Sequence, residues 1–133
     1  MTDIHPMLLQ FGGSLAAILV LAALAVALKL GGKPVLGDER DAAQIAGEVE
    51  DGFEPFRVSI SREGSAALLR DASGRIMLVR RHGNKFAGRI LTPAARVREE
   101  VDGLLVDPGE SRFGTARLSL GDAGYWADAI NRL

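Results

Sequence analysis

A long run without charge begins near the N-terminus and predicts the first structural element of the chain. The 22 residues from Met7 to Leu28 include no charged side chain, and their most polar members are Gln10 and Ser14. As a helix, which rises about 1.5 Å per residue, this run would reach roughly 33 Å, and a bilayer core is about 30 Å thick. A helix on the surface of a globular protein would interrupt the run with a polar stripe. The pattern therefore predicts a transmembrane helix over residues 7–30, after a short tail of residues 1–6.

A cleaved signal peptide is the competing interpretation of the same run. Alanines at positions 23, 25 and 27 offer the small-x-small pattern of a cleavage site. However, residues 1–6 contain no Lys or Arg, whereas a signal peptide has a basic region before its apolar stretch. Basic residues follow the run instead, at Lys29, Lys33 and Arg40. Because cytoplasmic flanks of membrane helices are the more basic, this bias predicts a single-pass membrane protein with its N-terminus outside and its C-terminal domain in the cytoplasm.

Small residues lie four positions apart on the predicted helix. Gly12 precedes Ala16, and Gly13 precedes Ala17, by one helical turn. Small side chains let two helix backbones approach closely, which favours helix association in lipid. Alanine-rich segments also produce such spacing by chance. The functional interpretation of these four residues is packing against another membrane helix.

After a linker at residues 31–37, the periodicity predicts a soluble α+β domain over residues 38–133. Asp38 stands where a helix N-cap belongs, and a one-faced helix follows it. The apolar positions of that helix are Ala42, Ile45, Ala46 and Val49. A second helix is predicted after Gly121-Asp122, and its Trp126 is expected to anchor the helix on the sheet.

Between these helices the period changes to that of β-strands. Phe56, Val58 and Ile60 alternate with polar residues, as in a strand with one buried face. Turn residues then divide the chain into about five to seven antiparallel strands. The predicted strands span residues 56–60, 66–70, 75–81, 85–91, 95–101, 103–107 and 113–120. The fold class is therefore α+β, a small antiparallel meander flanked by two helices, which resembles the pleckstrin-homology type of barrel in its order of elements.

Composition and motifs exclude several classes of function. The chain has no cysteine, so disulfides, thiol catalysis and cysteine-based zinc sites are excluded. Its net charge is −1, and residues 38–133 hold 14 basic and 16 acidic side chains, which argues against nucleic-acid binding. Neither a glycine-rich phosphate loop nor a hydrolase or zinc-protease motif is present. The sequence therefore predicts no enzyme activity, no cofactor and no small-molecule substrate.

The isolated titratable residues do not form a catalytic pair in the sequence. His82 lies at a predicted loop tip, with no serine or carboxylate at an informative spacing. His5 precedes the apolar run, where an imidazole could ligate a haem or pigment metal, but it has no obvious second ligand. Glu99 and Glu100 are adjacent in a predicted strand, so their side chains face opposite ways. We interpret all four as ordinary turn, tail or surface residues.

The highest density of positive charge lies around the predicted hairpin turn at residues 82–84. Four fixed cations flank this turn, namely Arg80, Arg81, Lys85 and Arg89. Such a tip could contact anionic lipid headgroups or dock an acidic partner. The alternative interpretation is a solvated turn whose charges keep a strand edge from pairing with other chains.

Several stretches carry a resemblance to known proteins: Gly32–Pro34, Asp71–Ile76, Gly83–Ile90 and Asn131 near an apolar terminus. They resemble small uncharacterised single-pass membrane proteins of alphaproteobacteria and, more loosely, photosynthetic-complex assembly proteins of purple bacteria. The leading hypothesis is a non-enzymatic accessory or assembly subunit of a larger inner-membrane complex, respiratory or photosynthetic in type. Its expected partners are membrane lipids and other membrane-protein subunits. The alternative is a membrane-tethered module that binds anionic lipid or an acidic partner through the basic hairpin at residues 80–89.

Overall fold

The computed structural model describes residues 12–24 and 34–133, which belong to two units that are described separately. Residues 12–24 are helical throughout, and we call this helix α1. Its large apolar side chains are each between 51% and 66% exposed. Several sequence-based predictions lie outside the described residues. They concern the tail at residues 1–6 with His5, both ends of the predicted transmembrane segment, the cleavage-site alanines at 25 and 27, and residues 31–33 of the predicted linker.

The predicted transmembrane helix is contradicted by the structure. Within residues 12–24 and 34–133, no helix combines the length and the apolar character needed to cross a membrane. The transmembrane part of the predicted fold class is therefore wrong. The single-pass topology, the inner-membrane location and the orientation that followed from it are wrong with it.

Residues 34–133 form an α+β domain with seven strands and two helices. The elements in chain order are α2 (Glu39–Val49), β1 (Pro55–Ile60), β2 (Ala66–Asp71), β3 (Ile76–His82), β4 (Lys85–Ile90), β5 (Arg96–Glu100), β6 (Gly103–Asp107), β7 (Ala116–Ser119) and α3 (Ala123–Asn131). The strands pair as two antiparallel sheets, one in the order β1-β2-β3-β4 and the other in the order β5-β6-β7. Because β4 and β5 do not pair, the single continuous meander predicted from the sequence is wrong, and the likeness to a pleckstrin-homology barrel remains one of element order.

The four-stranded sheet lies between two hydrophobic clusters. On one face α2 packs against Ala67, Leu69, Met77 and Val79. On the other face the alternate residues of β2 and β3 pack against the three-stranded sheet and α3, where Trp126 is fully buried. The central strands β2 and β3 are consequently buried on both faces, which explains their continuous apolar runs. This layering leaves the charged ends of β3 and β4 at the rim of the sheet.

The start of the domain is fixed by local bonds to the sheet and to α2. Asp38 caps α2, because its Oδ1 accepts a hydrogen bond from the Asp41 N–H at 3.1 Å. Leu36 is 5% exposed, and its N–H donates to the Gly64 carbonyl at 2.9 Å. Residues 34–37, which the sequence analysis placed in a linker, therefore belong to the packed domain.

Candidate interaction surface

Three of the four predicted basic residues share one face of the β3–β4 hairpin. In the antiparallel register His82 pairs with Lys85, and Arg80 pairs with Ala87. Residues directly opposite each other project to the same face, and each face repeats at every second residue. Arg89 therefore joins Arg80 and Lys85 on this face. His82, which the sequence analysis interpreted as a plain turn residue, lies there too.

Arg81 is the exception among the predicted cations. It follows Arg80 directly in β3, so its side chain projects to the opposite face of the sheet. There its Nε donates a hydrogen bond to the Pro34 carbonyl at 2.8 Å. The four predicted residues thus do not form one cluster.

Two of the basic side chains lie beside the ring of Phe113. Its ring is almost fully buried, and the guanidinium carbons of Arg80 and Arg89 lie 5.8 Å and 5.0 Å from the ring centroid. These separations fall within the range of cation–π attraction. Arg112, the residue before Phe113, lines the same small cavity as this ring and adds another cation. We define the basic patch as Arg80, His82, Lys85, Arg89 and Arg112.

The backbone around Phe113 explains how Arg80 is held and why the last strand is shorter than predicted. Arg80 Nη1 donates to the carbonyl oxygens of Phe113 and Thr115, at 2.8 Å and 2.9 Å. Gly114 between them has a φ of 76°, in the left-handed region that glycine adopts without strain. The chain therefore turns at residues 113–115 and becomes strand only at Ala116. This turn brings Arg112 next to the hairpin.

A small cavity of about 170 Å³ opens within the basic patch. Its lining residues are His82, Ala87, Arg89, Arg112 and Phe113. The rim of this cavity carries basic side chains from three chain segments, while Ala87 and Phe113 are apolar. One carboxylate lies close by, since Arg89 Nε donates to Glu110 Oε2 at 2.7 Å. Side chains of this kind can hold an anion.

Charge is distributed unevenly along the chain of this domain. Residues 38–54, which include α2, carry seven acidic side chains and one basic side chain. Residues 55–133 carry 13 basic and nine acidic side chains. Helix α2 therefore places an excess of acidic side chains on one face of the four-stranded sheet, and the basic patch lies on the other face.

A second polar cluster joins β1 to the start of α3. Asp122 Oδ2 accepts hydrogen bonds from Ser59 Oγ, Arg57 Nη2 and Trp126 Nε1 at 2.6, 3.1 and 3.2 Å. The Arg57 guanidinium lies 3.6 Å from the centroid of the Tyr125 ring. Burial acts to raise the pKa of Asp122, but the hydrogen bonds from Ser59 and Arg57 outweigh it and hold the pKa below its ordinary value. We interpret this cluster, which we call the Asp122 latch, as structural.

The predicted helix-packing residues all lie in α1. Gly12, Gly13, Ala16 and Ala17 are exposed, and a Cβ placed on either glycine would meet nothing within 4 Å. Their proposed packing role remains a prediction. Sequence reasoning missed Arg112 and Phe113, because nothing local relates residues 112–113 to a hairpin that ends more than 20 positions earlier.

Neither metal chemistry nor similarity to known proteins adds a function. In the parts of the chain that the structure describes, no three His, Asp or Glu side chains are grouped to hold a metal ion. Comparison with protein-family models, with curated proteins and with solved structures found no match for this chain. The resemblance to alphaproteobacterial membrane proteins and to photosynthetic assembly proteins therefore stays a prediction.

Proposed function

We propose that residues 34–133 form a non-enzymatic interaction domain, an accessory or assembly subunit that binds an acidic segment of a partner protein on the basic patch. The observation that carries this proposal is the grouping of Arg80, Arg89, Arg112 and His82 beside Phe113 or in the cavity that it lines, on the side of the sheet opposite the acidic helix α2. Lys85 extends this group at the hairpin tip. A ligand with carboxylate groups would be attracted to one face and repelled by the other. Such asymmetry fixes the orientation of a partner and speeds its association.

The side chains of the patch are partly fixed before a partner arrives. Arg80 is held by two carbonyl oxygens, and Arg89 by Glu110 and the ring of Phe113. An arginine that is already oriented loses less conformational freedom on binding than a mobile one. Lys85 is exposed at the hairpin tip and adds charge without such fixation. The patch therefore combines oriented arginine donors with an exposed lysine, which suits recognition of a short acidic segment.

Charge reversal tests this function directly. The variant with Lys85→Glu, Arg89→Glu and Arg112→Glu is expected to bind an oligoglutamate peptide at least about tenfold more weakly than the natural chain, since each reversal replaces an attraction by a repulsion. Binding is measured by fluorescence anisotropy at low and at physiological salt. The matched control reverses Arg40, Arg98 and Arg132, which are exposed but lie outside the patch.

Two results would contradict the proposal. One is equal weakening by the control variant, which would show that only net charge matters. The other is absence of salt-dependent binding in the natural chain. Anionic vesicles provide a further comparison, because binding to vesicles without binding to the peptide would identify lipid rather than protein as the ligand.

The exposed apolar surface of helix α1 is a second candidate contact with a partner protein. Its large apolar side chains, from Leu15 to Leu24, are more than half exposed, and exposed apolar surface of this kind marks contact sites. We propose that α1 packs against an apolar helix of the partner protein through the small residues at positions 12, 13, 16 and 17. Close packing of backbones would explain why no large side chain stands at these positions.

A pair of α1 variants tests the small-residue face. Ala16 and Ile18 are separated by about 200° around the helix axis, so they lie on nearly opposite faces. Ala16→Arg is expected to reduce co-purification of the partner with the tagged full-length chain several-fold, whereas Ile18→Arg should reduce it less. Quantitative mass spectrometry of the co-purified proteins gives the ratio. Equal losses for both variants would show that the small face is not the contact.

A further inference from the structure

We propose that the cavity lined by His82, Arg89 and Arg112 is a binding subsite for a phosphate group, and that the Glu110 carboxylate competes with this phosphate for Arg89. This inference rests on the proposed function and gives the chemistry of the anion that the patch prefers. The cavity has a volume of about 170 Å³, and β3, β4 and the turn at residues 112–113 each contribute a basic side chain to its lining. Donors from separate segments can surround a ligand, whereas donors from a single strand cannot.

The donor set matches a phosphate better than a carboxylate. Two guanidinium groups and one imidazole line the cavity, and each guanidinium offers several N–H donors in a planar fork. A phosphate monoester carries three acceptor oxygens and about 1.5 to 2 negative charges near pH 7, while a carboxylate has two oxygens and one charge. The other two lining residues, Ala87 and Phe113, have apolar side chains, so no carboxylate belongs to the lining itself.

Glu110 shows where an oxyanion binds to Arg89. Its Oε2 accepts from Arg89 Nε at 2.7 Å, and a second bond joins Arg89 Nη1 to the Gly88 carbonyl at 2.9 Å. The two ion-paired side chains are 48% and 53% exposed, so the pair is weak and exchangeable. A phosphate that reaches Arg89 must displace this carboxylate. Removal of the Glu110 charge should therefore strengthen phosphate binding.

The chain offers a matched control for this test. Glu100 also accepts a hydrogen bond from an arginine Nε, that of Arg117, at 3.0 Å, but it lies on the three-stranded sheet outside the cavity. Glu110→Gln and Glu100→Gln thus remove the same charge from the same kind of ion pair. The expected result is that Glu110→Gln tightens binding about two- to fivefold, the size of one exposed ion pair, and that Glu100→Gln changes it much less. Arg112→Gln should weaken it by a similar factor.

The measurement is a titration of amide chemical shifts in the full-length chain, with inorganic phosphate as the first probe. A phosphoserine peptide and the same peptide with glutamate in its place are the second and third probes. The phosphopeptide is expected to bind more tightly than the glutamate peptide, with shifts centred on residues 82, 89 and 112. Saturation by inorganic phosphate alone, without a peptide preference, would identify a free phosphate as the source of the ligand.

Three outcomes would overturn the subsite. They are equal tightening by Glu110→Gln and Glu100→Gln, equal affinity for the two peptides together with no saturation by inorganic phosphate, and phosphate-induced shifts that are the same in Arg112→Gln as in the natural chain. In each of these cases salt-dependent binding of oligoglutamate would leave the broader proposed function standing. If neither peptide nor oligoglutamate binds, the proposed function fails together with the subsite.

Discussion

Replacement of Gly103 by alanine is expected to destabilise the domain by about 3 kcal/mol or more, because no space exists for a side chain there. Gly103 begins β6 and pairs with Ser119 of β7. A Cβ at this position would collide with the Leu118 carbonyl oxygen and would lie 2.9 Å from the carbonyl carbon of the same residue. These atoms belong to the backbone, so they can withdraw only if β6 and β7 separate.

The effect is measured by urea unfolding followed by circular dichroism. Gly47→Ala is the matched control, since Gly47 lies within α2 and a Cβ there meets nothing within 4 Å. Alanine should stabilise this helical position by about 0.5–1 kcal/mol. If Gly103→Ala were as stable as the natural chain, the close approach of β6 and β7 would not be a constraint on this fold.

Gly103 also illustrates which parts of the fold could be predicted from the sequence. Strand positions such as 103–107 follow from local alternation and turn residues, and here the structure has β6 at those residues. The reason for glycine at position 103 is a contact with β7, some 15 residues later, which no local pattern reveals. Which strands pair with each other also depends on contacts between distant parts of the chain. The sequence pattern therefore does not predict that the strands divide into two sheets after Thr92-Pro93.

The apolar run at the N-terminus shows a different limit. Hydropathy indicates which side chains avoid water, but it does not determine how far a helix extends or what covers it. From the run alone, a membrane span was the simplest interpretation, and the structure contradicts it.

The sequence could predict the candidate site only for those of its residues that lie close together in the chain. The β3–β4 hairpin joins residues that are close in sequence, so the pattern located Arg80, Lys85 and Arg89 together. Strict alternation along the strand would also have separated Arg81 from them. Arg112 and the central Phe113 reach the hairpin through the tertiary fold, as does the pairing of Arg89 with Glu110. The cavity itself therefore required the structure.

Replacement of Asp122 by alanine is expected to cost about 2–3 kcal/mol at pH 7, because one carboxylate oxygen serves three donors from two elements. Without it, the indole N–H of the fully buried Trp126 and the Arg57 guanidinium lose their acceptor. The latch side chains of Arg57 and Asp122 are 38% and 33% exposed, so water compensates part of the loss. Asp122→Asn keeps an acceptor and should cost less than half as much.

The same latch predicts how stability depends on pH. The folded protein holds the pKa of Asp122 below its ordinary value of 3.8, because hydrogen bonds from Ser59 and Arg57 to the ionised form outweigh its burial. The ionised carboxylate therefore stabilises the fold fully above the unfolded-state pKa of about 4, and this contribution is lost as the pH falls through the lower folded-state pKa. The stability difference between the natural chain and Asp122→Asn should shrink as the pH is lowered from 7 to 3 in urea unfolding.

A control on the same helix separates the latch from general charge effects. Asp128 pairs with Arg132 on the exposed side of α3, where the two side chains are 64% and 77% exposed. Asp128→Asn is expected to change stability by less than about 0.5 kcal/mol at either pH. A difference for Asp122→Asn that stays constant between pH 7 and pH 3 would contradict the latch, since the hydrogen bonds would then act without the negative charge. A stability difference that shrinks in acid would show that the negative charge of Asp122 holds β1, α3 and the buried Trp126 together.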